Sequence, residues 1–570
     1  NDAREVLLKT VENLDTDFIN KDSVKRAINT LKKRRELEFA NSERIAISLS
    51  EWRAYGDWRL YFLHRDRLEK VTPEDVLRVA KRYLLQSNRT IGLFEPTESP
   101  LRAETPTKPD LKSALAGYKG RAKMSEGEVF EPTPENIDQR TIRGELQSGV
   151  KFALLPKKTR GNVVNLTGEL NYGNEDNLKG LVSASQLLPS LLSRGTKNSS
   201  FQEFKDKLDE LSATLNFGGS LGSVTFNIQT KRDNLSQVLE LLQEALRSPL
   251  LDEEQLDVVR RRMMTQMESM KSNPQGLAAN AIQRKLGPYS NDNIRYTPTI
   301  EEGIERLSNV KIDDIRKLYE EYLGGSHGYV AVVGDFDTES LITGLNGIFK
   351  DWTTKKGYKR VDSPAVEGIK GERVVIETPD KQNAIYIAGT MFPMDDTEID
   401  YEPMLVGNYI LGGGPLASRL ADRVRKKDGL SYAIGSQFRA SSEDPSAMLM
   451  MFAISNPSNT ENVVNAIDEE VTRFSESGVS GEELEKAKES FLKNRQGRRA
   501  QDRGLARILL SNLKNNRSME FQKESDERIK TLTKAQVDEA FERWFKKENL
   551  VIITAGDFAA QEASDDKEKQ

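Results

Sequence analysis

Few residues in this chain can do chemistry. Its 570 residues include two histidines, His64 and His327, and no cysteine. A hydrolytic zinc centre on a helix needs two histidines one turn apart, so that both side chains leave the same face. Neither histidine has such a partner, and both read as surface or interdomain packing. Without cysteine, disulfides, thiol catalysis and Cys-ligated zinc are excluded. Ser418 has no His-Asp arrangement around it and reads as no nucleophile. Gly412, Gly413 and Gly414 are not followed by the Gly-Lys-Ser/Thr of a phosphate loop. The basic runs at 260–262 and 495–503 fall on long helical patterns and read as solvated faces. Arginines and tyrosines are numerous, and residue type alone does not single out Arg425 and Tyr432, in RKKDGLSY, from the others. A guanidinium and a phenol both donate hydrogen bonds to an oxygen that gathers negative charge. Residue type alone leaves a second reading open, a surface helix arginine and a strand-core tyrosine.

The elements that must position these residues come from a chain of several domains' length. Hydrophobic residues make up 37% and charged residues 30%, enough for sizeable cores and a solvated surface. Lys+Arg total 84 against 89 Asp+Glu, a net charge of -5, which argues against nucleic-acid binding by bulk charge. No apolar window of about 18 residues is present, so no membrane span is expected. A cysteine-free chain suits an oxidising compartment such as the bacterial periplasm. The chain begins at Asn1 with no signal-like apolar stretch, so a fragment or processed product is expected.

The chain also repeats itself. Arg67, Val71, Val76 and Tyr83 recur as Arg306, Val310, Ile315 and Tyr322, and again as Arg528, Leu532, Val537 and Trp544. The steps between them are the same each time. Every copy reads as a turn, then a helix, then a short apolar strand. The last two strands end Val-Gly-Asp-Phe at 333–336 and Ala-Gly-Asp-Phe at 555–558, and the first ends Ile-Gly-Leu-Phe at 91–94. The repeat is therefore a domain. Upstream lie long amphipathic helices, one carrying Leu256, Val259, Met263, Met267 and Met270, a stripe that reads as core filler. Alternation at Val164, Leu166, Leu170 and Tyr172, at Val224, Phe226 and Ile228, and more weakly at Ala384, Tyr386 and Ala388 predicts sheets with one face buried. The expected class is α+β: repeated α/β sandwich domains, each an antiparallel-rich sheet with helices packed on one face.

The stretch LGGGPLASRLADRVRKKDGLSYAIGSQF at 411–438 resembles the signature of the final domain in pitrilysin/insulinase-family zinc metallopeptidases, the inverzincins. RGTKN at 194–198, GDWRLYFLHRDR at 56–67 and the Gly-Asp-Phe strand ends support the resemblance. It implies four homologous domains in two halves that close like a clamshell around a peptide. This chain would then be the C-terminal portion. Residues 1–95 would end domain two, 96–135 link the halves, and 136–352 form domain three. Residues 353–371 would be a second linker, 372–558 domain four, and 559–570 a disordered tail.

The family's zinc sits on an H-x-x-E-H helix in domain one. Counting back from Gly195-Thr196 puts Gln186, Pro189 and Ser190 at the matching positions, so no zinc is expected on this chain, only in the full-length enzyme. The resemblance further implies that Arg425 and Tyr432 reach the substrate beside the zinc. Gly412, Gly413 and Gly414 would shape an edge strand for peptide addition, or else make a tight helix–helix connection. The implied function is the substrate-binding half of a zinc endopeptidase that degrades peptides in an enclosed chamber. A non-catalytic partner subunit and a structural homologue are the alternatives. Expected partners are peptides and a zinc-bearing N-terminal half or subunit; nucleic acid is not expected.

Overall fold

The computed structural model describes residues 2–39, 41–85, 87, 126–414 and 418–559. The strand expected at 91–94, most of the linker expected at 96–135 and the tail beyond 559 lie outside the described residues.

The N-terminal part is helical, with helices at Asp2–Glu12, Lys21–Phe39, Ser42–Ala54, Leu60–Leu68 and Pro73–Tyr83. The last of these starts at a capping box: Thr72 and Asp75 satisfy each other's backbone N–H, and Pro73 stands where an N–H is not needed.

Two mixed sheets follow. The first holds β1 (Ile142–Glu145), β2 (Lys151–Pro156), β3 (Val163–Asn171), β4 (Thr214–Ser220), β5 (Ser223–Lys231) and β6 (Gly328–Gly334), in the order β1-β2-β6-β3-β5-β4. The second holds β7 (Glu372–Glu377), β8 (Ala384–Phe392), β9 (Ala433–Ala440), β10 (Ala447–Ser455) and β11 (Val551–Gly556), in the order β7-β11-β8-β10-β9. Apart from the added hairpin strand β1, the two are the same sheet. β2 runs parallel to β6 as β7 does to β11, and every other pair is antiparallel.

Each repeat packs its own helices on one sheet face. Leu166, Phe226, Leu242, Leu256 and Val259 share the first core, with Met263 and Met267 packed against it. Tyr386, Met451, Val463, Leu484 and Phe541 share the second. The opposite faces are not left to solvent. Helix Pro274–Leu286, from the second repeat, lays Ala278, Ile282 and Leu286 on Ile385, Ile387 and Ile553 of the third repeat's sheet. Helix Asp502–Lys514, from the third repeat, lays Leu505, Leu509 and Leu510 on Ala153, Leu155, Ala331 and Val333 of the second. Each repeat thus lends a helix to the other. This is why β8 alternates so weakly in sequence: Ala384 through Thr390 are buried on both faces.

Three expectations are refined. Helix Pro134–Arg140 begins before residue 136 and buries Ile137 in one cluster with Leu155 of the second repeat and Leu505, Leu509 and Met519 of the third. The segment 353–371 is extended but anchored: Arg360 Nη2 meets Asp444 at 2.6 Å, the Ser363 N–H donates to Asp444 at 3.0 Å, and Ala365 is buried. The basic run at 495–503 is not a solvated face throughout. Arg495 and Arg499, four residues apart on one helix face, both pair with Asp526, at 3.0 and 2.8 Å.

Candidate functional site

The segment carrying Arg425 and Tyr432 is fixed from below. Leu420 and Val424 are fully buried in the core of the third repeat. Arg419 clamps the start of the helix to the next layer, donating to Glu483 at 2.8 and 2.9 Å and to the Gly478 carbonyl at 2.8 Å. Those guanidinium hydrogen bonds hold the Glu483 carboxyl down at about 2. At the other end, Arg423 pairs with Asp428 and with Glu469. Gly429 then turns at φ +65°, a conformation a side chain would strain, and the Leu430 N–H closes onto the Val424 carbonyl at 2.9 Å.

Tyr432 comes next. Its N–H donates to the Ile454 carbonyl at 2.8 Å, which starts the pairing of β9 with β10 one residue before the strand itself. Its side chain is 69% exposed, so it is not packed in the strand core. Arg425 is exposed as well. Among the described residues neither side chain meets a hydrogen-bond or ion-pair partner. Two donors are therefore held on rigid backbone and directed away from the core, with no internal acceptor occupying them.

β9 is the edge strand of its sheet, paired only with β10 among the described strands. The glycines lie behind it. Gly412 and Gly413 are not a turn; they end the helical stretch that begins at Tyr401, and only Gly414 leaves it. A β-carbon on Gly412 would stand 2.5 Å from Ser436 Oγ and 2.6 Å from Ser436 N. A β-carbon on Gly413 would meet Asn408 Nδ2 at 2.7 Å. The glycines let the helix end press against the edge strand, and Ser436 Oγ seals the contact by donating to Asn408 Oδ1 at 2.7 Å.

The positions matched to a zinc motif lie on helix Val182–Leu191. Gln186 and Ser190 are exposed one turn apart, and Pro189 is buried under Gly219. An amide, a hydroxyl and an imino acid supply neither the imidazole pair nor the carboxylate that hydrolytic zinc needs, so these residues do not fit the metal. The two histidines lie elsewhere. His64 lies 5.2 Å from the Trp52 ring beside Arg35, and its pKa is lowered by burial and by that guanidinium. His327 packs against Tyr358 with the two rings tilted by 37° and their centres 5.0 Å apart.

The family model described as "Insulinase (Peptidase family M16)" matches residues 172–289, and that described as "Peptidase M16 inactive domain" matches 309–491. The chain belongs to the insulinase family, M16. Its Arg425, Tyr432 and glycines all fall within the match to the inactive domain. A Helicobacter pylori protein described as "Non-peptidase homolog YmxG" is 24% identical over 321 residues, 55% of this chain and 70% of that one. An "Uncharacterized zinc protease YmxG" of Bacillus subtilis is 21% identical over 348 residues, 60% and 81%. Among solved structures, a peptidase M16 inactive domain from Pseudomonas fluorescens has a TM-score of 0.64 at 17% identity, covering 73% of this chain and 97% of its own. The periplasmic protease PqqL from Escherichia coli has a TM-score of 0.58 at 13% identity, covering 86% of this chain and 51% of its own. The structural likenesses establish the M16 fold.

Sequence reasoning singled out Arg425, Tyr432 and the glycines, but not the sheet face beside them. Met448, Met450, Phe452 and Ile454 all leave β10 on the side away from its own helices, and Phe452 is 41% exposed. The signal was present as apolar residues at both parities of β10.

Proposed function

We propose that this M16 chain is the substrate-holding, non-catalytic part of a zinc-dependent endopeptidase that degrades peptides in an enclosed chamber. One observation carries the reading: Arg425 and Tyr432 are exposed donors with no internal partner among the described residues, fixed beside an edge of β9 that no described strand covers. A peptide laid along that edge adds a strand to the sheet through its backbone. The Arg425 guanidinium and the Tyr432 hydroxyl then donate to the carbonyl oxygen that becomes negative during hydrolysis. The zinc that activates water in such enzymes has no ligands at Gln186, Pro189 or Ser190, and we assign it to a separate domain or subunit facing this one. No helix among the described residues is long and apolar enough to cross a membrane, and we place the assembly in the periplasm, which the cysteine-free sequence suits.

A second reading, a homologue that pairs with a zinc-bearing chain but takes no part in hydrolysis, is favoured by the match to an inactive domain. Turnover in the assembled peptidase separates the two. Arg425→Ala and Tyr432→Phe should each lower turnover by about 10²–10³ with an unchanged melting temperature. Turnover within about twofold of wild type for both variants would favour the second reading.

A further inference from the structure

The outer sheet faces of the two repeats differ in polarity at one matched position. The sheets can be placed in register through their Gly-Asp-Phe ends. Val332, two residues before Gly334, pairs with Leu166, and Thr554, two residues before Gly556, pairs with Tyr386. Asn165 therefore corresponds to Ile385. Across the sheet Asn165 pairs with Gln229, and Ile385 pairs with Ile454. The shared topology accepts two isoleucines here, so nothing in the fold demands two amides.

Asn165 is 4% exposed, and its Oδ1 is buried with no donor among the described residues. A buried acceptor left without a donor costs stability. Asn165 lines a cleft of about 20 Å³, walled also by Gln229 of β5, Thr214 and Asn216 of β4, and Arg503 of helix Asp502–Lys514. That is room for a small polar head and too little for a large side chain.

Arg503 has two companions. Arg507 follows one turn later on the same helix. Arg44 comes from helix Ser42–Ala54, which is tied alongside by Gln501 Nε2 donating to Glu43 Oε2 at 3.4 Å. All three arginines are exposed, and among the described residues none pairs with a carboxylate. Asp502, next in sequence, is held by Lys157 at 2.6 Å. Burial and the guanidinia of Arg507 and Arg44 push the Arg503 pKa down, and an anion beside it would relieve that repulsion.

We propose that this cleft binds the C-terminal residue of a peptide, with Arg503 taking the carboxylate and Asn165 Oδ1 accepting the residue's backbone N–H. The two unmet needs fix the class. A carboxylate answers the guanidinium, and an N–H beside it answers the orphan oxygen. The last residue of a peptide carries both on one α-carbon. A free amino acid would bring an ammonium in among the guanidinia. The site lies on the second repeat and depends on neither Arg425 nor Tyr432.

The test uses the whole chain and equilibrium binding of three peptides: N-acetyl-pentaalanine as the free acid, the same peptide as its amide, and N-acetyl-Ala-Ala-Asp-Ala-Ala-amide. The free acid should bind about tenfold tighter than its amide or better, as expected for one charge-assisted contact. The Asp peptide should bind like the amide. Arg503→Gln should remove the preference and leave the amide's affinity unchanged. Asn165→Ala should weaken the free acid severalfold. Arg503 is exposed, so its variant keeps the test sound if the buried Asn165 variant misfolds. Arg425→Ala should keep the preference. The proposal is overturned by equal affinity for free acid and amide, by a preference that survives Arg503→Gln, or by a folded Asn165→Ala that binds the free acid as wild type does. An Asp peptide bound as tightly as the free acid would overturn it too, as would a preference lost in Arg425→Ala and kept in Arg503→Gln.

Discussion

The two repeats treat one place in their shared topology in opposite ways. In the second repeat, the turn after helix Phe201–Glu210 is covered by the N-terminal helix Lys21–Phe39. Asp209 takes Lys33 at 2.5 Å and Thr30 at 2.6 Å, and Ser212 donates to Glu36 at 2.7 Å. In the third repeat, the corresponding turn carries Arg425 and Tyr432, both exposed, and no partner reaches either side chain among the described residues. Both turns use one left-handed residue, Ser212 at φ +46° and Gly429 at φ +65°. The strands then diverge. Phe217 pairs with Phe226, which pairs in turn with Gly168, as Ser436 pairs with Met451 and Met451 with Ala388. Four residues back, Ala213 is fully buried, while Tyr432 is 69% exposed. The third repeat inserts two more residues between turn and strand, and that insertion puts the tyrosine outside the core. One repeat has turned the position into a docking contact; the other leaves it exposed.

The largest expected effect tests whether the repeats are separable. Leu509 belongs to the third repeat but is buried against the second repeat's sheet. Leu509→Ala should destabilise the chain by about 2–5 kcal/mol. Hydrogen exchange should quicken first in β3 and β6. Faster exchange confined to β8 and β10 would mean that the lent helix does not support the sheet it covers.

Gly412→Ala sharpens the comparison at the edge strand. With its β-carbon 2.5 Å from Ser436 Oγ, the helix end must move off β9, at a cost of about 1–3 kcal/mol. Denaturant midpoints should fall, and peptide binding should weaken with them. A variant as stable as wild type would show that the close approach is not required.

The smallest effect is acid dependence. The Arg419 hydrogen bonds depress the Glu483 carboxyl to about 2, so its stabilisation is present above the ordinary pKa near 4.5 and is lost as pH falls toward 2. Glu483 is about a third exposed, and after discounting for solvent screening its share is about 1 kcal/mol or less. Glu483→Gln should flatten that part of the stability profile between pH 5 and about 2. An unchanged slope would show that the clamp under the Arg425 helix is electrostatically idle.

Much of this was legible in sequence because it rests on periodicity. The recurring Arg, apolar and aromatic spacing announced three copies of one repeat, two of which carry the described sheets, and Leu256 and Val259 of the methionine-bearing stripe are core. The lent helices were not legible: Ala278, Ile282 and Leu286 mark a helix face but not which sheet it covers. The docking of Lys33 and Glu36 was hidden because charges on a helix read as solvated until a buried partner such as Asp209 is seen. The close approach of Gly412 to Ser436 was not legible, since a run of glycines marks small residues but not the backbone they press against. Arg425 and Tyr432 were visible only through the surrounding motif; their exposure needed the structure.

Hydrogen exchange on the two edge strands tests the central claim most directly. With saturating N-acetyl-Ala-Ala-Phe-Ala-Ala-amide, amides of Ala433–Ala440 should gain protection while those of Thr214–Ser220 stay unchanged, because both are edge strands but the turn before Thr214–Ser220 is covered by helix Lys21–Phe39 whereas the one before Ala433–Ala440 presents Arg425 and Tyr432. Protection of Thr214–Ser220 instead, of both strands equally, or of neither would contradict it.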